Sequence, residues 1–125
     1  MAVKEAKVVA NGNIYTIGML VAYMRRLGVQ PGDCICVHTK MSSIGWVVGA
    51  EQAVVEALLE AVGPDGTVVM PAQSGQNSDP GNWAKPPVPS QWWDIIRENM
   101  PAYEPEKTPT RSMGRVAELF RKWPG

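Results

Sequence analysis

Apolar residues recur at Ile17, Leu20, Val21, Met24 and Leu27, a spacing of three and four that gathers them on one face of a helix. Thr16 is positioned to cap that helix, Arg25 and Arg26 suit its carboxyl end, and Gly28 stops it. A turn over Gln30-Pro31-Gly32-Asp33 leads into a short apolar run, Cys34 to Val37, which reads as a buried strand. A polar bend from His38 to Ser43 follows, and Gly49 opens a second helix, Ala50 to Val62. There Val54, Val55, Leu58, Leu59 and Val62 form a stripe, with Glu51, Gln52, Glu56 and Glu60 elsewhere, the pattern of a helix lying on a sheet. Gly63-Pro64 ends it, with Gly63 expected in the left-handed cap position, and Asp65-Gly66 turns the chain into a second strand, Thr67 to Met70.

Strand, crossover helix and strand make a βαβ unit, expected to be right-handed with parallel strands. The bend at His38 to Ser43 then lies at the carboxyl end of the first strand, where open α/β sheets bind ligands. Beyond Pro71 the period disappears: Ala72 to Ser90 is rich in Gly, Pro, Asn and Ser, and Asp79, Trp83 and Pro86-Pro87-Val88-Pro89 argue for an ordered lid. Ser90 is expected to cap a helix carrying Trp92, Trp93, Ile95 and Ile96 that ends before Pro101. Tyr103 to Thr110 is irregular, and Ser112 to Trp123 reads as a last helix with Met113, Val116, Ala117 and Phe120 inward. Residues 1–13 are expected to form a loose leader and residues 14–125 a single unit.

With 125 residues the chain is one domain's worth. Twelve Lys and Arg balance twelve Asp and Glu, so there is no electrostatic footprint for nucleic acid. No apolar run approaches the ~20 residues needed to cross a bilayer, and the first residues lack the apolar core of a secretory signal, which makes the cytoplasm the expected compartment. Cys34 and Cys36, at i and i+2 of a strand, point to the same face and are poorly placed for a disulfide with each other. Lacking a second Cys or His pair, they read as small apolar residues of a buried strand, and no metal site is expected.

The segment Val37-His38-Thr39-Lys40-Met41-Ser42-Ser43-Ile44-Gly45-Trp46-Val47-Val48-Gly49 resembles a signature of the aminoglycoside 3-N-acetyltransferase family, the acetyl-coenzyme A-dependent antibiotic-modifying enzymes. Further likenesses follow in the family's order: Gly63 to Pro71, Asp79-Pro80 with Trp83, Pro86 to Pro89, Met100 to Tyr103, and Thr108-Pro109-Thr110-Arg111-Ser112-Met113-Gly114. The likeness runs from Ile14 to Gly125. It implies an α/β protein, a three-layer α/β/α fold with a mixed sheet, of which this chain would be the N-terminal half. It also implies that the catalytic histidine and its glutamate partner belong to a segment beyond Gly125; a gene fragment, a trimmed chain or half of a split enzyme would each read this way.

Several site residues follow from that likeness. His38 is the sole histidine, so a general base of that type must be this residue, although the resemblance puts it beside coenzyme A. His38, Thr39, Lys40, Ser42, Ser43, Gly45 and Val47, with Thr110 and Arg111, are the candidates for holding acetyl-coenzyme A: its pantetheine amides need donors and acceptors, and its pyrophosphate needs unpaired N–H groups or cations. Lys40 stands where the family has a serine, and it reads equally as a phosphate ligand or a solvated lysine. Arg111 reads as a phosphate ligand or as one half of a structural ion pair. Gln73, Ser74, Asp79 and Trp83 are candidates for the acceptor side, with Asp79 also readable as an ordinary turn residue. The implied reaction is acetylation of the 3-amino group of an aminoglycoside. Two alternatives stand beside it: an inactive remnant that binds coenzyme A, and an acyltransferase for a non-antibiotic amine. A homo-oligomer or a complementary C-terminal fragment is the kind of protein partner implied.

Overall fold

The computed structural model describes residues 2–125. Where a loose leader is expected, helix α1 (Ala2–Ala10) forms, and only Met1 of that leader lies outside the described residues. Ala, Lys and Glu are good helix formers, and α1 leans on the segment around residues 41–47, which gives its half-buried Val8 something to cover. Strand β1 (Ile14–Tyr15) follows, then helix α2 (Ile17–Leu27). The caps of α2 are those its sequence signals: Thr16 Oγ1 accepts from the Met19 N–H at 3.2 Å, and Gly28, at φ 107° and ψ 3°, closes the far end in the left-handed region. Ile17, Leu20 and Met24 pack against the core, whereas Leu27, in the final turn, is 71% exposed.

Strand β2 (Cys34–Cys36) leads to a single helical turn, α3 (Met41–Ile44), then to strand β3 (Trp46–Val47), helix α4 (Ala50–Val62) and strand β4 (Thr67–Val69). β2 and β4 pair in parallel, Cys34 opposite Thr67 and Cys36 opposite Val69, as the βαβ pattern requires. A hydrogen bond from Val37 N–H to the Val69 carbonyl at 2.8 Å continues the ladder. The strand is not buried on both sides as its sequence suggests: Ile35 is half-buried, but both cysteines are exposed, because α4 covers one face of the pair only. β1 and β3 form a second parallel pair, Ile14 opposite Trp46 and Tyr15 opposite Val47. The class is α/β as expected; of the mixed sheet and three layers implied for the family, the described residues contain these two parallel pairs.

Helix α4 is the hub, touching α2, β3, β4 and the last helix, α6 (Gly114–Phe120). Val54, Val55 and Leu58 join Val47 and Val116 in the buried cluster, and Ala57, Ala61, Val62 and Ala117 are also buried. Gly63 ends α4 at φ 70° and ψ −178°, an extended positive-φ conformation and not the left-handed helical cap expected. The stretch after β4 is ordered as three short 3₁₀ turns, Gly75–Asn77, Pro80–Asn82 and Ser90–Trp92, the last running into α5 (Trp93–Asn99). Ser90 makes no side-chain cap, since the chain enters α5 through its 3₁₀ turn instead of an extended N-cap. The final helix starts at Gly114 and not at Ser112, whose φ of 60° is incompatible with a right-handed helix. Among the described residues no helix is long and apolar enough to cross a membrane.

Candidate functional site

The polar bend does not feed α4 directly. After Thr39 and Lys40 the chain makes the one-turn helix α3, with Ser43 N–H donating to the Lys40 carbonyl at 2.9 Å. Gly45, at φ 122°, then turns it into β3, a conformation open only to glycine. A Cβ at this position would come within 2.7 Å of the Tyr15 ring. Ser42 and Ser43 therefore sit on their own turn, one short strand ahead of the α4 N-terminus.

A groove of ≈ 580 Å³ opens between this turn and the start of α6. Thr39, Lys40, Ser42, Gly45 and Val47 line one side, together with Trp46, Ala50 and Glu51; Ser112 to Arg115 line the other, and Glu5 and Val8 of α1 reach its rim. A smaller hollow of ≈ 80 Å³ at the carboxyl ends of the β2 and β4 strands is lined by His38, Met70 and Pro71 and shares Thr39, Ser112 and Met113 with the groove. The two walls come close there: a Cβ added at Gly114 would lie 3.6 Å from the Thr39 carbonyl oxygen. Glu51 reaches toward Arg115 at 3.7 Å, bringing an acidic and a basic group together inside the groove. Two non-glycine residues with positive φ, Ala50 at 51° and Ser112 at 60°, both belong to its lining, and such strain clusters at ligand sites.

Five of the nine residues expected to hold the cofactor line the groove, and His38 lines the adjoining hollow. Ser43 is exposed on α3 but lies outside the lining. Thr110 is occupied elsewhere: its backbone N–H and its hydroxyl both donate to Glu118 Oε2, at 2.9 and 2.6 Å. Arg121 above all, then these two Thr110 bonds, hold the Glu118 carboxyl well below the usual range. Arg111 is exposed, and its N–H donates to the Gln73 carbonyl at 3.1 Å, so the second motif and the segment after β4 are joined through the backbone.

The acceptor-side candidates separate from the groove. Asp79 accepts from the Gly81 N–H at 2.8 Å and from two nitrogens of Arg97, at 3.0 and 3.2 Å. Arg97, then the Gly81 N–H, lowers its pKa, and it acts as a turn residue fixing the lid to α5. Trp83 donates its indole N–H to Ser78 Oγ at 2.8 Å, and Ser74 leads into the first 3₁₀ turn. Sequence reasoning missed Ala50, Glu51 and Ser112 to Arg115 as lining. The signal for Ser112 to Gly114 lies in the second motif itself, whose end forms the wall while its start, Thr110 and Arg111, lies outside the lining. Among the described residues no cluster of three or more His, Cys, Asp and Glu is gathered that could hold a metal ion.

Comparison with known proteins agrees with this architecture. The sequence profile of the family described as aminoglycoside 3-N-acetyltransferase matches residues 36–125. Over 102 residues the chain is 53% identical to the SPbeta prophage-derived aminoglycoside N(3')-acetyltransferase-like protein YokD of Bacillus subtilis (strain 168), covering 81% of this chain and 38% of that protein. The crystal structure of YokD superposes with a TM-score of 0.81 at 48% identity, over 90% of this chain and 42% of that one. Aminoglycoside N(3)-acetyltransferase VIII of Streptomyces fradiae is 41% identical over 119 residues, 91% of this chain and 39% of that protein. A solved binary complex of AAC-IIIb with CoASH matches with a TM-score of 0.67 at 30% identity, over 90% of this chain and 41% of that one. The chain thus spans about two fifths of the length of the relatives it matches.

Proposed function

The chain belongs to the aminoglycoside 3-N-acetyltransferase family, and from that premise we propose that it forms the coenzyme A-binding portion of an N-acetyltransferase acting on the 3-amino group of an aminoglycoside. The observation that carries this reading is the groove, where Thr39, Lys40 and Ser42 line one side and Ser112 and Arg115 the other, beyond the end of a parallel strand pair. Its ≈ 580 Å³ falls within the range of roughly 300–1,000 Å³ usual for small-molecule sites.

The residues present fit the group. Thr39 and Ser42 can donate to and accept from the amides of a pantetheine arm, and Lys40 and Arg115 can face phosphate charge, with the exposed Arg111 a further cation nearby. Acetyl-coenzyme A supplies the acyl group as an activated thioester. Glu51 and Glu5 offer carboxylates toward a polycationic acceptor, while Asp79 and Trp83 hold the shape of the lid. In the transfer the amine nitrogen bonds the acyl carbon as the carbon–sulfur bond breaks, and a base takes the amine proton. This reading assigns that base to the larger part of the relatives that lies outside the match, with His38 lining the hollow beside the groove.

Calorimetric titration of the full chain with coenzyme A tests the binding claim. Ser42→Ala and Lys40→Ala are each expected to weaken binding about threefold to tenfold, the lysine variant also losing salt dependence; absence of binding, or indifference to both substitutions, would overturn the assignment. The solitary His38 favours a second reading, a chain that binds coenzyme A without turning it over. Acetyl-coenzyme A, an aminoglycoside and a thiol reagent separate the two: turnover by the chain alone that His38→Ala abolishes would remove the second reading. A panel of non-antibiotic amines identifies the acceptor class.

A further inference from the structure

The small hollow beside the groove differs from it in chemistry. Lys40 and Arg115 line the groove with Glu5 and Glu51, but among the described residues no Lys, Arg, Asp or Glu lines the hollow. Met70, Pro71 and Met113 give it an apolar side, and Thr39 and Ser112 belong to both spaces. A ligand whose phosphates meet the cations of the groove therefore gains most by turning an uncharged end into the hollow. Both segments of the lining are tied by backbone bonds. Met70 shares a face with Val68 and packs against the core, and the bond from Val37 N–H to the Val69 carbonyl at 2.8 Å holds the strand ends beside it. Arg111 N–H donates to the Gln73 carbonyl at 3.1 Å, which fixes the segment that carries Ser112 and Met113. A hollow held in this way does not widen cheaply, and overfilling it costs as overfilling a core does.

Its size then acts as a limit on length. A cavity of about 150 Å³ holds a benzene ring, so the hollow's ≈ 80 Å³ holds about three non-hydrogen atoms, as many as an acetyl group has. We propose that the hollow is the acyl pocket of the site and that Met70 and Met113 set the longest acyl chain it takes, admitting acetyl and turning away chains of about four carbons or more. The assignment rests on the coenzyme A reading above and adds to it the class of acyl group carried.

Binding alone reads this out. The full chain is titrated calorimetrically with free coenzyme A and with its acetyl, butyryl and hexanoyl thioesters, and each Kd is divided by that of free coenzyme A, so that a general loss of binding cancels. Acetyl-coenzyme A is expected to bind at least as tightly as the free thiol, and the butyryl and hexanoyl thioesters at least about tenfold more weakly than acetyl. Met113→Ala and Met70→Ala are each expected to bring butyryl to within about threefold of acetyl. Circular dichroism checks the fold of both variants; should the core-packed Met70→Ala fail that check, Met113→Ala decides alone. Parent affinities indifferent to chain length, or a butyryl penalty that persists undiminished in Met113→Ala, overturn the acyl pocket and leave the coenzyme A reading standing. Failure of free coenzyme A itself to bind overturns that reading and the pocket with it.

Discussion

Thr110 and Glu118 meet at a single carboxylate oxygen, Glu118 Oε2 accepting the Thr110 backbone N–H at 2.9 Å and its hydroxyl at 2.6 Å. The other oxygen accepts from Arg121 Nη2 at 2.6 Å and Nε at 3.0 Å, and the same guanidinium donates to the Pro105 carbonyl. One glutamate therefore ties the segment that carries Ser112 to Gly114 onto the middle of α6. Glu118→Ala is expected to cost on the order of 1–3 kcal/mol, measured by urea unfolding, and to weaken coenzyme A binding through a looser groove wall.

Acid should act on the same group. Arg121 first, and then Thr110, keeps the native Glu118 carboxyl well below its ordinary range. The unfolded chain binds that proton near pH ~4.3, so the stabilisation is complete above this value and is lost as the pH falls below it toward the depressed native value. Thermal unfolding followed against pH is expected to show a steep loss below about pH 4.5 in the parent and a shallower one in Glu118→Gln.

Gly66 permits the turn out of α4. A Cβ here would collide with the Val62 backbone, lying 2.7 Å from its carbonyl carbon, and the obstacle is part of the helix end and cannot swing away. Gly66→Ala is expected to destabilise by about 1–3 kcal/mol. Gly75, with open space around its Cβ position, is the matched control, and Gly75→Ala is expected to stay within about 0.5 kcal/mol of the parent in the same denaturation experiment.

The cap of α2 gives a cleaner local test. Thr16→Ala removes the acceptor for the Met19 N–H and is expected to cost about 1 kcal/mol, whereas Thr16→Ser keeps the oxygen and is expected to restore most of it. Equal melting temperatures for the two variants would show that the bond contributes little.

What the sequence made legible follows from where the signal was long. The helices α2 and α4 carry several turns of apolar period between clear stop residues, Thr16 and Gly28 for one and Gly49 and Gly63 for the other, and their bounds are readable almost to the residue. β1 and β3, two residues each, are too short to show any alternation, and their pairing depends on Gly45 adopting a φ of 122° that no pattern announces. The exposure of Cys34 and Cys36 was hidden because an apolar run looks the same whether its second face is covered or not. In the site, the turn bearing Ser42 was visible as a motif, but the opposite wall was set too early, at Thr110 and Arg111, because its position depends on the left-handed Ser112 and on a bond to Glu118 eight residues away.

Val47 has two neighbourhoods, since it lines the groove and is also part of the buried cluster with Val54, Val55, Leu58 and Val116. Helix α4 packs against both the strand that bears Val47 and the helix that begins with the opposite wall, so the volume of its inward side chains bears on the spacing of the cleft. In a close-packed interior a single methylene is felt by every neighbour. The width available to a ligand can consequently be adjusted from beneath, by substitutions that never touch what is bound.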